Sequence, residues 1–356
     1  MTIYRNLSNY LTICLVCMLL VFSNFSYAGG ETAAGHTEKK KFDISEMIFG
    51  HISDSHDFHV VGDFAVPLPC IFYDAQNGLS VFMSSKFDHG HRDVKGYHFD
   101  HGQISRADGL SFWDFSITKN VFMMLLVCTL MFLIFKSIAN RYVKNKGKAP
   151  TGIQNLFEPL MLFVRDDIAK DNIGEKYYMK FYPYIAAVFF FILGLNLFGL
   201  IPFFPGSANV TGNIAVTACL ALFTAVLTNV NGKKDYWQHM LWMPGVPTFV
   251  KPILSVIEVL GAFLIKPGSL MIRLFANITA GHIIILSLVG LIFLFSASPE
   301  GIAGESVGGG ALGAMVAVPF VLFMNAIELL VAFLQAYIFA MLSALYIGQA
   351  VEEHHH

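Results

Sequence analysis

Arg273, His282, Glu328 and Gln335 stand in the most apolar stretches of this chain, where an ionisable or hydrogen-bonding side chain is least expected. From Leu274 to Pro299 no Asp, Glu, Lys or Arg is present to neutralise Arg273. An arginine at the centre of a bilayer costs about 2.5–3.5 kcal/mol on insertion scales. A guanidinium cannot escape that cost by deprotonating, as a lysine can. A chain carries such a charge where it faces a partner, a cavity or an ion path. Snorkelling from a helix end is the plainer alternative, and it suits Lys266. For Arg273 the neighbours weigh against it. Asn277 lies one helical turn on along the same face, with Gly281 beyond, and such a polar, small-residue stripe belongs against protein rather than lipid.

Glu328 is the only charged residue between Glu305 and Glu352. Gln335 and Tyr346 follow it at helical spacing, and at 100° per residue the three fall within about 20° of one line. A carboxylate, an amide and a phenol along one stripe of an apolar helix can hold a chain of waters. Separate interhelical hydrogen bonds are the plainer reading, and one that suits Tyr346. For Glu328 an intramembrane carboxylate is a functional candidate by default. His282 adds the side chain whose ordinary pKa lies nearest neutrality. These residues point to an ion path or a partner contact inside the membrane.

The elements that must position them are membrane helices. The 356 residues are 55% hydrophobic and include 34 Phe, while 13% are charged, about half the share usual in a soluble domain. Several uncharged runs exceed the 18 or so residues that mark a span. The fold class is therefore an all-α polytopic membrane protein with about five membrane helices. A net charge of −2 says little, because the charges are segregated by region. No basic cluster with interleaved aromatics points to nucleic acid. No phosphate loop or nucleophile motif points to ATP chemistry on this chain, and no cofactor is expected.

Residues 1–28 read as a signal peptide: Arg5 ahead of an apolar Leu11–Phe22 core, then Ser26-Tyr-Ala28 at the cleavage position. An uncleaved first helix is the alternative. Residues 29–112 form a polar extracytoplasmic extension. Phe58–Val66 and Cys70–Met83 have strand character, and Asn77-Gly78 is a hairpin signal. The extension holds His36, His51, His56, His59, His89, His91, His98 and His101. Their spacing matches no metal motif, so solvated loop histidines are expected and no metal ligand is assigned. Five cysteines make no disulfide framework.

The membrane domain covers 113–351, with a tail at 352–356. A first helix is expected over 117–139, followed at once by Lys136, Arg141, Lys144, Lys146 and Lys148; by the positive-inside rule this end is cytoplasmic. Residues 152–180 read as an interfacial amphipathic helix. Further helices are expected at 182–203 and 211–230, with Asn196, Asn209 and Asn213 as intramembrane polar groups that make interhelical hydrogen bonds. A cytoplasmic turn falls at 236–249. Two overlong helices, 250–295 and 311–351, then form a slanted hairpin, the first strongly tilted, kinked at Pro267-Gly268 or partly interfacial. This places five passes between an outside N-terminus and a cytoplasmic C-terminus.

Ser269-Leu270-x-x-Arg273-Leu274-Phe275-Ala276-Asn277-x-x-Ala280-Gly281-His282 resembles the signature of subunit a, the membrane stator subunit of the F-type ATP synthase. Glu328-Leu-Leu…Gln335-Ala-Tyr337-Ile-Phe…Leu345-Tyr346 is similar to the C-terminal helix of the same family. The resemblance covers residues 152–351 strongly and the first helix weakly; it leaves out the extension. It implies a non-catalytic, proton-translocating subunit of a bacterial inner membrane, with ATP chemistry on other subunits. The implied partners are a rotating ring of carboxylate-bearing c subunits, b-type peripheral stalk subunits and the rest of the synthase. It also implies an inlet half-channel with His282 and Glu328, Arg273 as the divider with Ser269 and Asn277 beside it, Gln335 and Tyr346 along the last helix, and Glu258 near the outlet. Glu258 sits one residue off the bacterial spacing to Lys266. Rival readings are a self-contained secondary transporter using Arg273 for an anionic substrate, and a membrane scaffold. The transporter predicts paired broken repeats, which the sequence lacks; the scaffold leaves Arg273 unexplained.

Overall fold

The computed structural model describes residues 54–352, apart from 62–63, 75–77, 91, 101–102, 107–111, 146–148, 202–205, 207, 244–246 and 298–306. The expected signal peptide, Glu300, Glu305 and the terminal histidines lie outside the described residues. So do His36, His51, His91 and His101 of the histidine-rich segment.

The extension is built of short antiparallel strands: β1 Asp57–Val61, β2 Phe64–Pro67, β3 Pro69–Asp74, β4 Gly78–Met83, β5 Tyr97–Asp100, β6 Gln103–Arg106 and β7 Trp113–Asp114. They pair as β1–β2, as a three-stranded sheet in the order β4–β3–β7, and as β5–β6. The hairpin expected at Asn77-Gly78 forms between β3 and β4, closing on Asp74 and Gly78. Gly78 has φ +66, a left-handed conformation that glycine adopts without strain. Alternation along β3 and β4 turns Cys70, Phe72 and Phe82 into a small aromatic core with Phe87 and Tyr97.

The extension is clamped onto the first membrane helix, α1 (Lys119–Lys144). The carboxylate of Asp54 accepts the Thr118 hydroxyl at 2.8 Å and the Asn120 N–H at 3.2 Å. Ser55 accepts the Lys119 N–H at 3.0 Å through its carbonyl. Helix N-termini leave such donors free, and here the extension takes them. His56 Nε2 donates to Asp114 at 3.0 Å, and the Ser116 N–H donates to the same carboxylate at 2.8 Å. Burial alone would raise the Asp114 carboxyl, but His56 and Ser116 together hold it below the usual carboxylate range. Burial wins at Asp54 and raises it, against the bonds from Thr118 and Asn120. Burial likewise pushes the Cys70 thiol up to about 12.

Beyond α1 the chain is helical: α2 Ile153–Phe163, α3 Tyr178–Gly199, α4 Ile214–Val230, α5 Lys234–Leu241, α6 Lys251–Leu260, α7 Lys266–Ala297 and α8 Val307–Val351. Four helical runs are long and apolar enough to cross a membrane: Lys119–Lys144, Tyr178–Gly199, Lys251–Gly290 and Gly313–Val351. A fifth is the pair α4 and α5, bent by 104° at its break. The amphipathic stretch after α1 continues from α2 through a widened π turn at Val164–Lys170 and a short turn Asp171–Ile173, ending at Gly174 with φ +85.

Two details differ from expectation. The region read as a plain turn after residue 236 includes helix α5, which starts at Lys234. The break in the long helix is a π turn at Gly261–Ile265, not a kink at Pro267-Gly268 itself. Pro267 has no N–H for the carbonyl one turn earlier, and its ring crowds that carbonyl. The extra residue of a π turn relieves this ahead of the proline.

The core lies between α3 and α8, with α1 on the far side of α3. Ala332, Ala336, Ala340 and Ala344 of α8 are all buried and recur every fourth residue. Gly348 continues the row, and a Cβ there would collide with the Asn172 carbonyl. Small residues at this spacing let helix backbones approach closely. Helix α7 packs along α8 and α4.

Candidate functional site

Helices α7 and α8 run antiparallel, and their register brings two chain-distant groups together. His282 Nδ1 and Glu328 Oε1 share a hydrogen bond of 3.0 Å, with the glutamate buried and the histidine one-fifth exposed. Gly281 makes the approach possible: a Cβ there would come within 2.9 Å of the Glu328 oxygen. The third element of the Arg273 stripe is thus a seat for the carboxylate.

A cavity of about 10 Å³ opens beside the pair, room for roughly a single water. Its walls include Asn196 at the end of α3 and Asn209 and Thr211 ahead of α4. Thr211 donates its hydroxyl to the Asn196 carbonyl oxygen at 2.8 Å, and the Asn196 amide donates to the Ala332 backbone at 3.1 Å. The Asn209 amide nitrogen is buried without a partner among the described residues. Asn196 therefore bonds across helices as expected, whereas Asn209 and Asn213 accept the nearby Gly212 and Ala215 N–H groups at the start of α4, and Asn209 keeps a donor at the cavity wall.

A larger cavity of about 270 Å³ lies toward the other end of the helices. Glu258, Lys266, Asp235, His239, Gln349 and Glu352 line it. The ammonium of Lys266 donates to Gln349 at 3.1 Å and lies 5.3 Å from the centre of the Tyr346 ring. Sequence reasoning singled out Glu258 here but missed Asp235, His239 and Glu352. No local signal marks them, because α5 and the end of α8 meet α6 only through the bend after α4.

Arg273 lies between the cavities. At 1.5 Å per residue it is about 14 Å along α7 from His282 and about 22 Å from Glu258. It is exposed, as is Asn277, and among the described residues no carboxylate pairs with it. The register set by His282 and Glu328 places it level with Tyr337, within one turn of the buried Gln335. Ser269 lies one turn before Arg273 and is half-buried. Tyr346 is far from Glu328, about 27 Å along α8, so the single stripe seen in the sequence is not one contiguous site. Around Arg273 the surface is apolar, with Ile272, Ile283 and Ile284 exposed on α7.

Comparison with known proteins gives two matched segments. Residues 121–348 match a family model described as ATP synthase A chain, and residues 47–119 match one described only as a domain of unknown function. The chain is 41% identical to ATP synthase subunit a of Chloroherpeton thalassium over 76% of this chain and 78% of that one. It is 39% identical to ATP synthase subunit a 2 of Chlorobaculum tepidum over 90% of this chain and 77% of that one. With ATP synthase subunit a of an Anaeromyxobacter species the identity is 37%, over 92% of this chain and 74% of the other.

Proposed function

The chain belongs to the ATP synthase subunit a family, and from that premise we propose that it is the proton-conducting stator subunit of an inner-membrane ATP synthase, with no catalytic site of its own. Its N-terminal extension faces the outside and its C-terminus the cytoplasm, because basic residues mark only the loops after α1 and after α4. A proton enters through the small cavity walled by Asn196, Asn209 and Thr211 and is relayed by the His282–Glu328 pair. It passes to a carboxylate of a rotating c-subunit ring that covers the apolar face of α7 and α8. After the ring has turned, the proton leaves through the larger cavity at Glu258. Peripheral stalk subunits of the b type hold this chain against the torque.

Arg273 divides the two paths. An opposite charge within about 4–6 Å lowers a carboxylate pKa by about 1–3 units, so each ring carboxylate that arrives is made to release its proton. The pair must also part. At 4 Å it is worth roughly 4 kcal/mol in an effective dielectric of 20, and the membrane potential supplies about 2.3 kcal/mol per charge per 100 mV. These are comparable, so a hydrated pair turns over. Asn277 and Ser269 flank the guanidinium, and Gln335 supplies an amide at its level on α8.

One observation carries the reading: a cation exposed on an apolar face, without a carboxylate among the described residues, between a cavity at the start of its helix and one midway along it, each with polar side chains in its wall. Arg273→Ala is expected to abolish coupled proton pumping, a loss of about a hundredfold or more, and to raise passive proton leak in vesicles stripped of the catalytic head. Arg273→Lys keeps part of the barrier but pumps poorly, because an ammonium lacks the guanidinium fork and deprotonates when buried. Arg273→Ala complexes that assemble and still couple proton flow to rotation would end the reading.

A further inference from the structure

The three-stranded sheet of the extension carries large apolar side chains on both faces. Its inner face is ordinary: Phe72 and Phe82 are buried, and Asp74 beside them accepts the Tyr97 hydroxyl at 2.6 Å and lies 3.4 Å from the Arg106 guanidinium. The outer face carries Tyr73, Leu79, Val81, Met83, Trp113 and Phe115, between 43% and 65% exposed. Register makes these one surface. Tyr73 stands opposite both Leu79 and Trp113, while Val81 and Met83 stand opposite Ile71 and Pro69. Among its described residues the phenol and the indole are the only polar side-chain groups. A sheet facing water alternates apolar-in with polar-out, and a contiguous apolar patch of several hundred Å² marks an interaction surface.

The position of the patch identifies what covers it. The ladder of β7 runs past Asp114: the Phe115 N–H donates to Ile71 at 2.8 Å and the Ile117 N–H to Pro69 at 3.1 Å. Helix α1 begins at Lys119. The Pro69–Met83 end of the face is thus two residues of chain, about 7 Å, from the start of a membrane span. The headgroup layer on each side of the hydrocarbon is itself roughly 5–8 Å deep. Amphipathic Trp and Tyr rings concentrate in that layer, where one end is apolar and the other wet. The described residues of the face carry no charge, and because Tyr73 and Trp113 stand at the end away from α1, about 20 Å of extended chain from its start, the whole face meets lipid with the sheet lying flat along the surface.

We propose that the outer face of this sheet lies on the lipid headgroup–acyl boundary beside α1, making the extension a membrane-surface anchor. The Asp54 and Ser55 clamp then transmits that anchoring to the first turn of α1.

Val81→Cys carrying a bimane fluorophore tests this in the assembled synthase complex, reconstituted in vesicles of phosphatidylethanolamine and phosphatidylglycerol. The parent protein without the added cysteine controls for labelling of Cys128 and Cys219 in the spans. Spin-labelled lipid with its quencher near the headgroup is expected to lower the fluorescence about twofold or more, and a quencher near the chain end much less. Aqueous iodide should have little effect. Quenching by iodide but not by lipid would show the face in water and overturn the proposal. A label shielded from both would show a protein subunit on the face and overturn it equally. Tyr73→Cys, at the opposite corner of the face, repeats the reading should the first variant disturb the sheet.

Discussion

Helix α3 and the α6–α8 hairpin are equally apolar yet treated in opposite ways. In α3 72% of the most apolar window is buried inside the chain, against 11% and 17% for the windows at 251–290 and 313–351. The polar groups follow the same division. In α3 Asn196 is hydrogen-bonded on two sides within the chain, while on α7 Arg273 is exposed. Apolarity in a membrane therefore does not say which helix is core. The small residues do: the row from Ala332 to Gly348 faces the chain's own core, and the large exposed side chains of α7 and α8 are left for another surface.

The sharpest way to break this contrast is to enlarge a small residue on the inner row. Gly348→Leu would drive a side chain into the Asn172 carbonyl, which already sits where a Cβ would go. Overpacking of this kind costs typically 1–3 kcal/mol, and more against rigid backbone. Little assembled subunit is expected in the membrane by immunoblot, whereas Leu330→Ala on the exposed side of α8 should assemble normally. Equal assembly of the two would undo the distinction between inner and outer rows.

Within the site, Glu328→Gln and His282→Ala are each expected to lower ATP-driven proton pumping by about tenfold or more. Residues in direct contact are energetically coupled. The double exchange His282→Glu with Glu328→His should therefore recover several-fold over the product of the single losses. Strictly multiplicative losses would show that the 3.0 Å pair does not act as one relay.

The extension offers a smaller, pH-dependent effect. The Asp114 carboxyl is held below its ordinary range, so the folded state binds its proton less readily than the unfolded state. Its contribution is full above the ordinary carboxylate pKa of about 4 and is lost as pH falls through the lower, folded value. The raised Asp54 works in the opposite sense. Asp114→Asn should remove the acid-side loss and weaken docking at neutral pH by roughly 1–3 kcal/mol. Limited proteolysis of residues 54–116 between pH 3 and 7, as about the working range, measures both; identical profiles would rule out the ion pair as the acid-sensitive contact.

Smallest of all is the histidine-rich segment. His98 bonds to Asp93 at 2.6 Å on the open surface. Replacing His89, His91, His98 and His101 together should leave pumping within about twofold, in line with surface substitutions elsewhere. A loss restored by added zinc would reveal a metal site.

Much of this was legible without coordinates, because the signals are local. Arg273 without a counter-ion, the solitary Glu328 and the helical spacing of Gln335 and Tyr346 are properties of one segment each. The hairpin at Gly78 was legible because that turn favours glycine, and the overlong final helices because their lengths can be counted. The π turn before Pro267 was harder to see, since a proline states that a helix must yield but not how. Asp235, His239 and Glu352 carried no signal, because each is an ordinary polar residue until the bend after α4 brings α5 beneath α6.

The sequence alone determined that this chain spans a membrane several times and holds a fixed cation and a carboxylate there. Periodicity and hydropathy act within a segment, and no folding partner changes them. Only the tertiary structure decided that His282 meets Glu328, that Gly281 leaves room for the carboxylate, and that Asn196, Asn209 and Thr211 wall one cavity. Those contacts depend on the register of antiparallel helices. That register is set by how α7 packs along α8 and how α8 packs on α3, a sum of many weak contacts that no single segment encodes.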